Sequence, residues 1–290
     1  MLNLKGPLLI AANHPNSFLD AIILATLFKS PIYSLARGDA FASKIITRLL
    51  GSFNMLPVYR VSEGVENLEN NYDTFKMCQN IFKQDGIVLI FSEGRCINEW
   101  HLRPLKKGTA RLALEAWKSG VNLKILPLGI NYSCFKKFGK TVVLNFGNFI
   151  TNEDVERCDF AGKEINDFNE KLRAQLKKLV FEIDINDYQE RKKIFSQHIS
   201  FLKKLFLFIP AILGFVLHLP LYFGIHLSIK NKAEDHYDSV VTGLLFFTYP
   251  VYITVMILIL FFITGSFYSL LLIVLLPFCL WSYVQLKKPV

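Results

Sequence analysis

Asn13 and His14 close a short apolar run in Ala12-Asn13-His14-Pro15-Asn16-Ser17-Phe18-Leu19-Asp20, and an aspartate follows in the next helical stretch. A turn between His14 and Asp20 can bring the carboxylate to the imidazole. There it fixes the ring tautomer and leaves the second nitrogen to act as a general base. The same two residues also suit a histidine merely satisfied in a strand–helix turn, so the chemical reading needs company. Phe91-Ser92-Glu93-Gly94-Arg95 supplies it: a glycine turn after another apolar run offers backbone N–H groups and an arginine to an anion. Met55-Leu56-Pro57-Val58-Tyr59-Arg60 again ends an extended run on an arginine. Arg103-Pro104-Leu105-Lys106-Lys107-Gly108-Thr109 is a basic turn opening a helix, which reads equally as a second anion contact or as a solvated helix start. The last block, Ile125-Leu126-Pro127-Leu128-Gly129-Ile130, is wholly apolar. The five cysteines show neither a Cys-x-x-Cys pair nor a zinc-like His–Cys spacing, so no metal site is expected.

These residues need rigid elements to hold them. Residues 7–12, 32–36, 55–59, 86–91, 123–130 and 141–149 read as strands; 17–28, 42–50, 70–83 and 109–118 read as helices between them. Near-continuous apolar strands alternating with helices predict an α/β fold, a mixed, largely parallel sheet with helices on both faces. That domain is expected over residues 1–160. Residues 161–204 are charged and helical, with Ile165, Phe168, Leu172, Leu176 and Leu179 at helix spacing, and read as an amphipathic extension in two helices, 163–182 and 187–204.

Residues 205–290 read as a C-terminal helical membrane region. Val240 to Leu286 contains no Asp, Glu, Lys or Arg, and neither does Leu205 to Ile229. Stretches 240–263 and 267–286 are long enough to span the hydrocarbon core and, parted only by Thr264-Gly265-Ser266, form a hairpin. Lys230, Lys232, Lys287 and Lys288 flank its open ends, which places both on the cytosolic side. Stretch 205–229 carries Pro210, Gly214, Pro220 and Gly224 and is expected to be re-entrant or interfacial.

A chain with 52% hydrophobic residues, so distributed, is not a soluble monomer. The apolar run near the N-terminus is too short for a signal peptide. The protein is therefore expected to be integral to the membrane, its charged domain on the cytosolic face. The net charge of +9 then points to anionic headgroups and phosphorylated or acidic partners, with no nucleic acid.

Taken in order, the blocks at 13–20, 55–60, 91–95 and 125–130 resemble those of the phospholipid/glycerol acyltransferase family: N-H-x4-D, a block ending in arginine, F-P-E-G, and an apolar block with a proline. The chain looks most like the branch reading N-H-P-N-x-x-x-D among glycerol-phosphate acyltransferase relatives. It departs from the wider family's blocks in two places. Its His-to-Asp interval is H-x5-D, one residue longer, and Ser92 stands where proline is usual. The resemblance implies a glycerol-phosphate acyltransferase-like fold and an acyl transfer with no cofactor, using acyl-CoA or acyl carrier protein as co-substrate. It implies catalytic roles for His14 and Asp20 and acceptor binding by Arg60, Glu93, Gly94 and Arg95, with Asn13, Lys106 and Lys107 as weaker candidates. The implied partners are membrane lipids, the acyl donor and a phosphorylated glycerol or lysophospholipid acceptor, in phospholipid biosynthesis. The rival readings are a non-enzymatic membrane scaffold and a lipid or thioester hydrolase using the same His/Asp pair. No G-x-S-x-G elbow is present for a serine lipase.

Overall fold

Leu8–Ala12 has no polar side to show to water, so both faces of such a strand must be covered. The computed structural model describes residues 2–59, 70–156, 161–229 and 236–287, and builds this run as β1 (Leu8–Ala12), buried throughout. Five strands follow: β2 (Ile32–Arg37), β3 (Met55–Val58), β4 (Ile87–Phe91), β5 (Lys124–Tyr132) and β6 (Val142–Phe146). They form one sheet in the order β3-β2-β4-β1-β5-β6. β1 lies parallel to both β4 and β5, and β2 lies parallel to both β3 and β4. Parallel neighbours need long crossovers. The helices α1 (Phe18–Leu27), α2 (Lys44–Ser52), α3 (Asn70–Lys83) and α4 (Gly108–Lys118) lie in them. The mixed, largely parallel α/β sheet with helices is thus the class read from the sequence.

The chain divides into two units, residues 1–131 with 143–182, and residues 132–142 with 183–290. In the first, Leu9, Ala11, Val88, Ile90 and Ile125 face one side of the sheet and pack with Cys78 and Phe82 of α3 and with Ala110, Ala113 and Trp117 of α4. α5 (Ala161–Leu179) adds Phe168, Leu172 and Leu176, the stripe its helical spacing predicts, and all three are fully buried. Burying each such side chain stabilises by roughly 1.5–3 kcal/mol before entropic costs. Leu8, Ile10, Ala12 and Leu89 point to the opposite face and are buried as well.

In the second unit the charged stretch 187–204 is not one helix. α6 (Tyr188–Phe195) stops, and Ser200 opens a new helix by accepting the Lys203 N–H at 3.3 Å. That helix, α7 (Phe201–Ile229), covers the segment expected to be re-entrant or interfacial, and it shows no interruption. It runs 29 residues without a break despite Pro210 and Pro220 inside it. In apolar surroundings an unwound backbone would strand its polar groups, so the helix tolerates two missing donors and stays whole. α8 (Tyr237–Thr264) ends at Gly265, a single turn follows at Phe267–Leu271, and α9 (Leu272–Leu286) closes the described chain. Segments 201–229, 237–264 and 267–286 are each long and apolar enough to cross a membrane. α7 and α9 touch at Gly214, where a Cβ would lie 2.1 Å from the Cys279 carbonyl oxygen. Close approach at a small residue is how helices pack where no hydrophobic drive between them exists.

Candidate active site

β1 and β4 end in register, Ala12 opposite Phe91, and the Ser92 N–H extends the pairing to the Ala12 carbonyl at 2.8 Å. Two loops separated by almost eighty residues of chain therefore leave the sheet side by side. The carboxyl ends of parallel strands are where such sheets place ligands.

The first loop holds His14, and the first turn of α1 holds Asp20. His14 Nδ1 lies 2.9 Å from Asp20 Oδ2, and the same oxygen accepts the Asn16 N–H at 2.9 Å. An ionised carboxylate only accepts, so in a neutral imidazole Nδ1 carries the hydrogen and Nε2 keeps its lone pair. The Asp20 side chain is fully buried, while that of His14 is 18% exposed. Phe91, the last residue of β4, stacks on the imidazole at 3.8 Å and 11° and fixes its plane.

Within the H-x5-D interval, Ser17 holds φ of 52° and ψ of −136°, which suit glycine better than an L-residue. Its N–H donates to Cys96 Sγ at 2.9 Å. Two neighbouring bonds complete a strap across the turn: the Ile97 N–H to the His14 carbonyl at 3.3 Å, and Asn98 Nδ2 to the Pro15 carbonyl at 2.7 Å.

Glu93 bridges the two sides. Its Oε2 accepts the His14 N–H and its Oε1 the Arg103 N–H, each at 3.0 Å. Burial pushes its carboxyl above the usual carboxylate value, opposed by those two N–H donors. Gly94 has φ +67°, and a Cβ there would stand 2.9 Å from Lys106 Cγ, so a side chain would strain the backbone and push on Lys106. Where relatives carry proline, the buried Ser92 hydroxyl accepts from Thr109 Oγ1 at 3.0 Å. Arg95 is exposed, and its carbonyl receives Arg103 Nη1 at 3.4 Å while Arg103 Nε pairs with Glu99 at 3.1 Å.

Of the residues read from the sequence, His14, Asp20, Glu93, Gly94 and Lys106 are brought together. Arg95 adjoins them with its side chain in solvent, and Lys107 is exposed at the start of α4. Asn13 is used elsewhere: its Nδ2 donates to the Ile130 carbonyl at 3.0 Å and its Oδ1 accepts the Ile130 N–H at 2.7 Å, which locks the end of β1 to β5. Arg60 lies outside the described residues. The sequence shows Phe91 and Arg103 only as parts of their blocks and gives no sign of Cys96 and Asn98. Only the β1–β4 register, which the sequence does not display, shows that they reach His14 or its partners.

No curated protein matches the chain. A family model described as Acyltransferase matches residues 1–131, a span that contains all four ordered blocks.

Proposed function

From the premise that residues 1–131 form an acyltransferase-family domain, carried in a chain with three candidate membrane spans, we propose an O-acyltransferase that acylates a glycerol-phosphate hydroxyl. The donor is acyl-CoA or acyl carrier protein. The acceptor is glycerol 3-phosphate or a lysophospholipid, which makes the reaction a step of phospholipid biosynthesis. The domain works at the cytosolic face, next to the bilayer that holds its apolar product.

The observation that carries this reading is the buried Asp20 carboxylate on His14 Nδ1, with no partner for Nε2 among the described residues. In the proposed reaction Nε2 takes the proton of the acceptor hydroxyl as its oxygen attacks the thioester carbonyl. A C–O bond forms, the C–S bond breaks, and the departing thiolate recovers the proton from the imidazolium. Asp20 orients the ring and stabilises its charged form, as in a serine triad, but with the substrate as nucleophile. Arg95 and Lys106 carry the positive charge that would suit an acceptor phosphate, and the resemblance adds Arg60.

The test is acyl transfer by the purified chain in detergent. Labelled acyl-CoA and acyl carrier protein are offered with glycerol 3-phosphate, dihydroxyacetone phosphate and lysophosphatidate. Transfer to at least one acceptor is expected. His14→Ala, shown to be folded by circular dichroism, should lose at least roughly 10²–10⁴-fold in rate. Near-full activity in that variant rejects the mechanism. Release of free fatty acid with no acylated product would favour the hydrolase.

A further inference from the structure

α2 wears its apolar side outward. Ile45, Ile46, Leu49, Leu50 and Phe53 fall on one arc of the helix and its cap, with Lys44, Thr47, Arg48 and Ser52 on the other. An amphipathic helix beside a sheet ordinarily buries the apolar arc. Here no residue of α2 is buried, and Ile45 is 80% exposed, Leu49 51% and Phe53 52%. Ser43 caps the helix by accepting the Ile46 N–H at 3.3 Å, so the exposure belongs to a well-formed element. The patch leads to the site: the Phe53 ring meets Phe18 edge-on at 6.3 Å, and Phe18 opens the helix that carries Asp20.

We infer that α2 is an interfacial anchor, lying in the headgroup layer with Ile45, Leu49 and Phe53 inserted and the approach to His14 turned toward the bilayer. Two observations name a lipid surface as the occupant. The chain carries three candidate membrane spans, so a bilayer is within reach of the tethered domain. Lys44 and Arg48, both exposed on a helix without an acidic residue, complement anionic headgroups. The inference deepens the proposed acyl transfer by giving a lipid acceptor or product a lateral route, but its main test does not depend on turnover.

The full chain is reconstituted in phosphatidylcholine–phosphatidylglycerol vesicles with an environment-sensitive fluorophore on Leu49→Cys. The labelled wild type serves as blank and Lys83→Cys, exposed on α3, as the water-facing reference. Nitroxide lipids labelled high on the acyl chain should quench the probe at 49 and not the one at 83, while aqueous iodide should do the reverse. A probe at 49 open to iodide and untouched by nitroxide overturns the inference. One shielded from both marks a protein partner, such as a second copy of the chain, and overturns it equally. In a second arm, Ile45→Asp/Leu49→Asp should raise KM for a long-chain acceptor in vesicles at least 10-fold and leave kcat within 2-fold. Equal KM values would also refute the anchor. If the quenching result stands and no acyl transfer is found, the proposed reaction fails and the anchor does not.

Discussion

Asp20 does two things with one oxygen: it takes the His14 Nδ1 hydrogen, and by accepting the Asn16 N–H it ties the turn that presents the histidine. Asp20→Asn keeps the size but offers an amide in place of a carboxylate, which stabilises neither the imidazolium nor the required tautomer. A kcat loss of roughly 10²–10⁴-fold is expected with little change in KM, measured by steady-state acyl transfer. Ser17 holds a conformation that costs an L-residue about 1–3 kcal/mol, and the Cys96 thiol is the group that receives its N–H. Cys96→Ala should therefore lower kcat about 10-fold, a loss of positioning worth roughly 1.4 kcal/mol. Cys96→Ser, whose hydroxyl accepts the same N–H, should restore most of it. Ser17→Gly added to Cys96→Ala should restore it too, because glycine needs no partner to hold that backbone. A Cys96→Ala defect untouched by either change would assign the thiol to packing alone. Arg95→Ala should raise the acceptor KM and spare the donor KM; unchanged acceptor kinetics remove Arg95 from the site.

At the scale of elements, strands and helices were largely legible because a covered sheet writes near-continuous apolar runs, and α3 was read to the residue. The failures are equally physical. The 187–204 stretch hid its break, since Ser196 and Ser200 end one helix and start another with no glycine or proline between them to mark it. Two prolines and two glycines made 205–229 look interrupted, whereas a helix in apolar surroundings keeps every bond it can. The pairing of β1 with β4, which turns a His/Asp turn and a Glu/Gly turn into one site, depends on long-range register that a lone sequence does not carry. The 132–142 segment held a further surprise: Lys140 pairs with Asp238 at the start of α8, with side chains only 8% and 5% exposed. Removing one partner of a buried pair leaves a stranded charge, so Asp238→Ala should destabilise by about 3–5 kcal/mol, seen as a lower melting temperature in detergent. The double variant Lys140→Met/Asp238→Leu should recover much of the loss.

At the scale of the whole molecule, one unit carries the candidate site and the other carries all three candidate membrane spans. The sharp drop in charge beyond residue 205 made the apolar helices readable from composition, but not the boundary of the units, which falls at 182–183 with 132–142 joining the second. That α5 contributes to the core of the first unit was less so, because its stripe could have faced any apolar surface. The helices predict that the protein stays in the membrane pellet through an alkaline carbonate wash and is released by detergent; release by carbonate alone would refute spanning helices.

The in-register ends of β1 and β4 also divide the candidate site between two separate pieces of chain. The proposed acid–base pair lies within residues 14–20, one contiguous turn, while the cationic side chains at 95, 103, 106 and 107 follow a different strand. Residues 96–98 and the Arg103 backbone are committed to holding the turn and Glu93. The side chains around them are not. Descendants of such a gene could exchange one acceptor for another by redrawing those side chains while inheriting the proton-transfer turn intact.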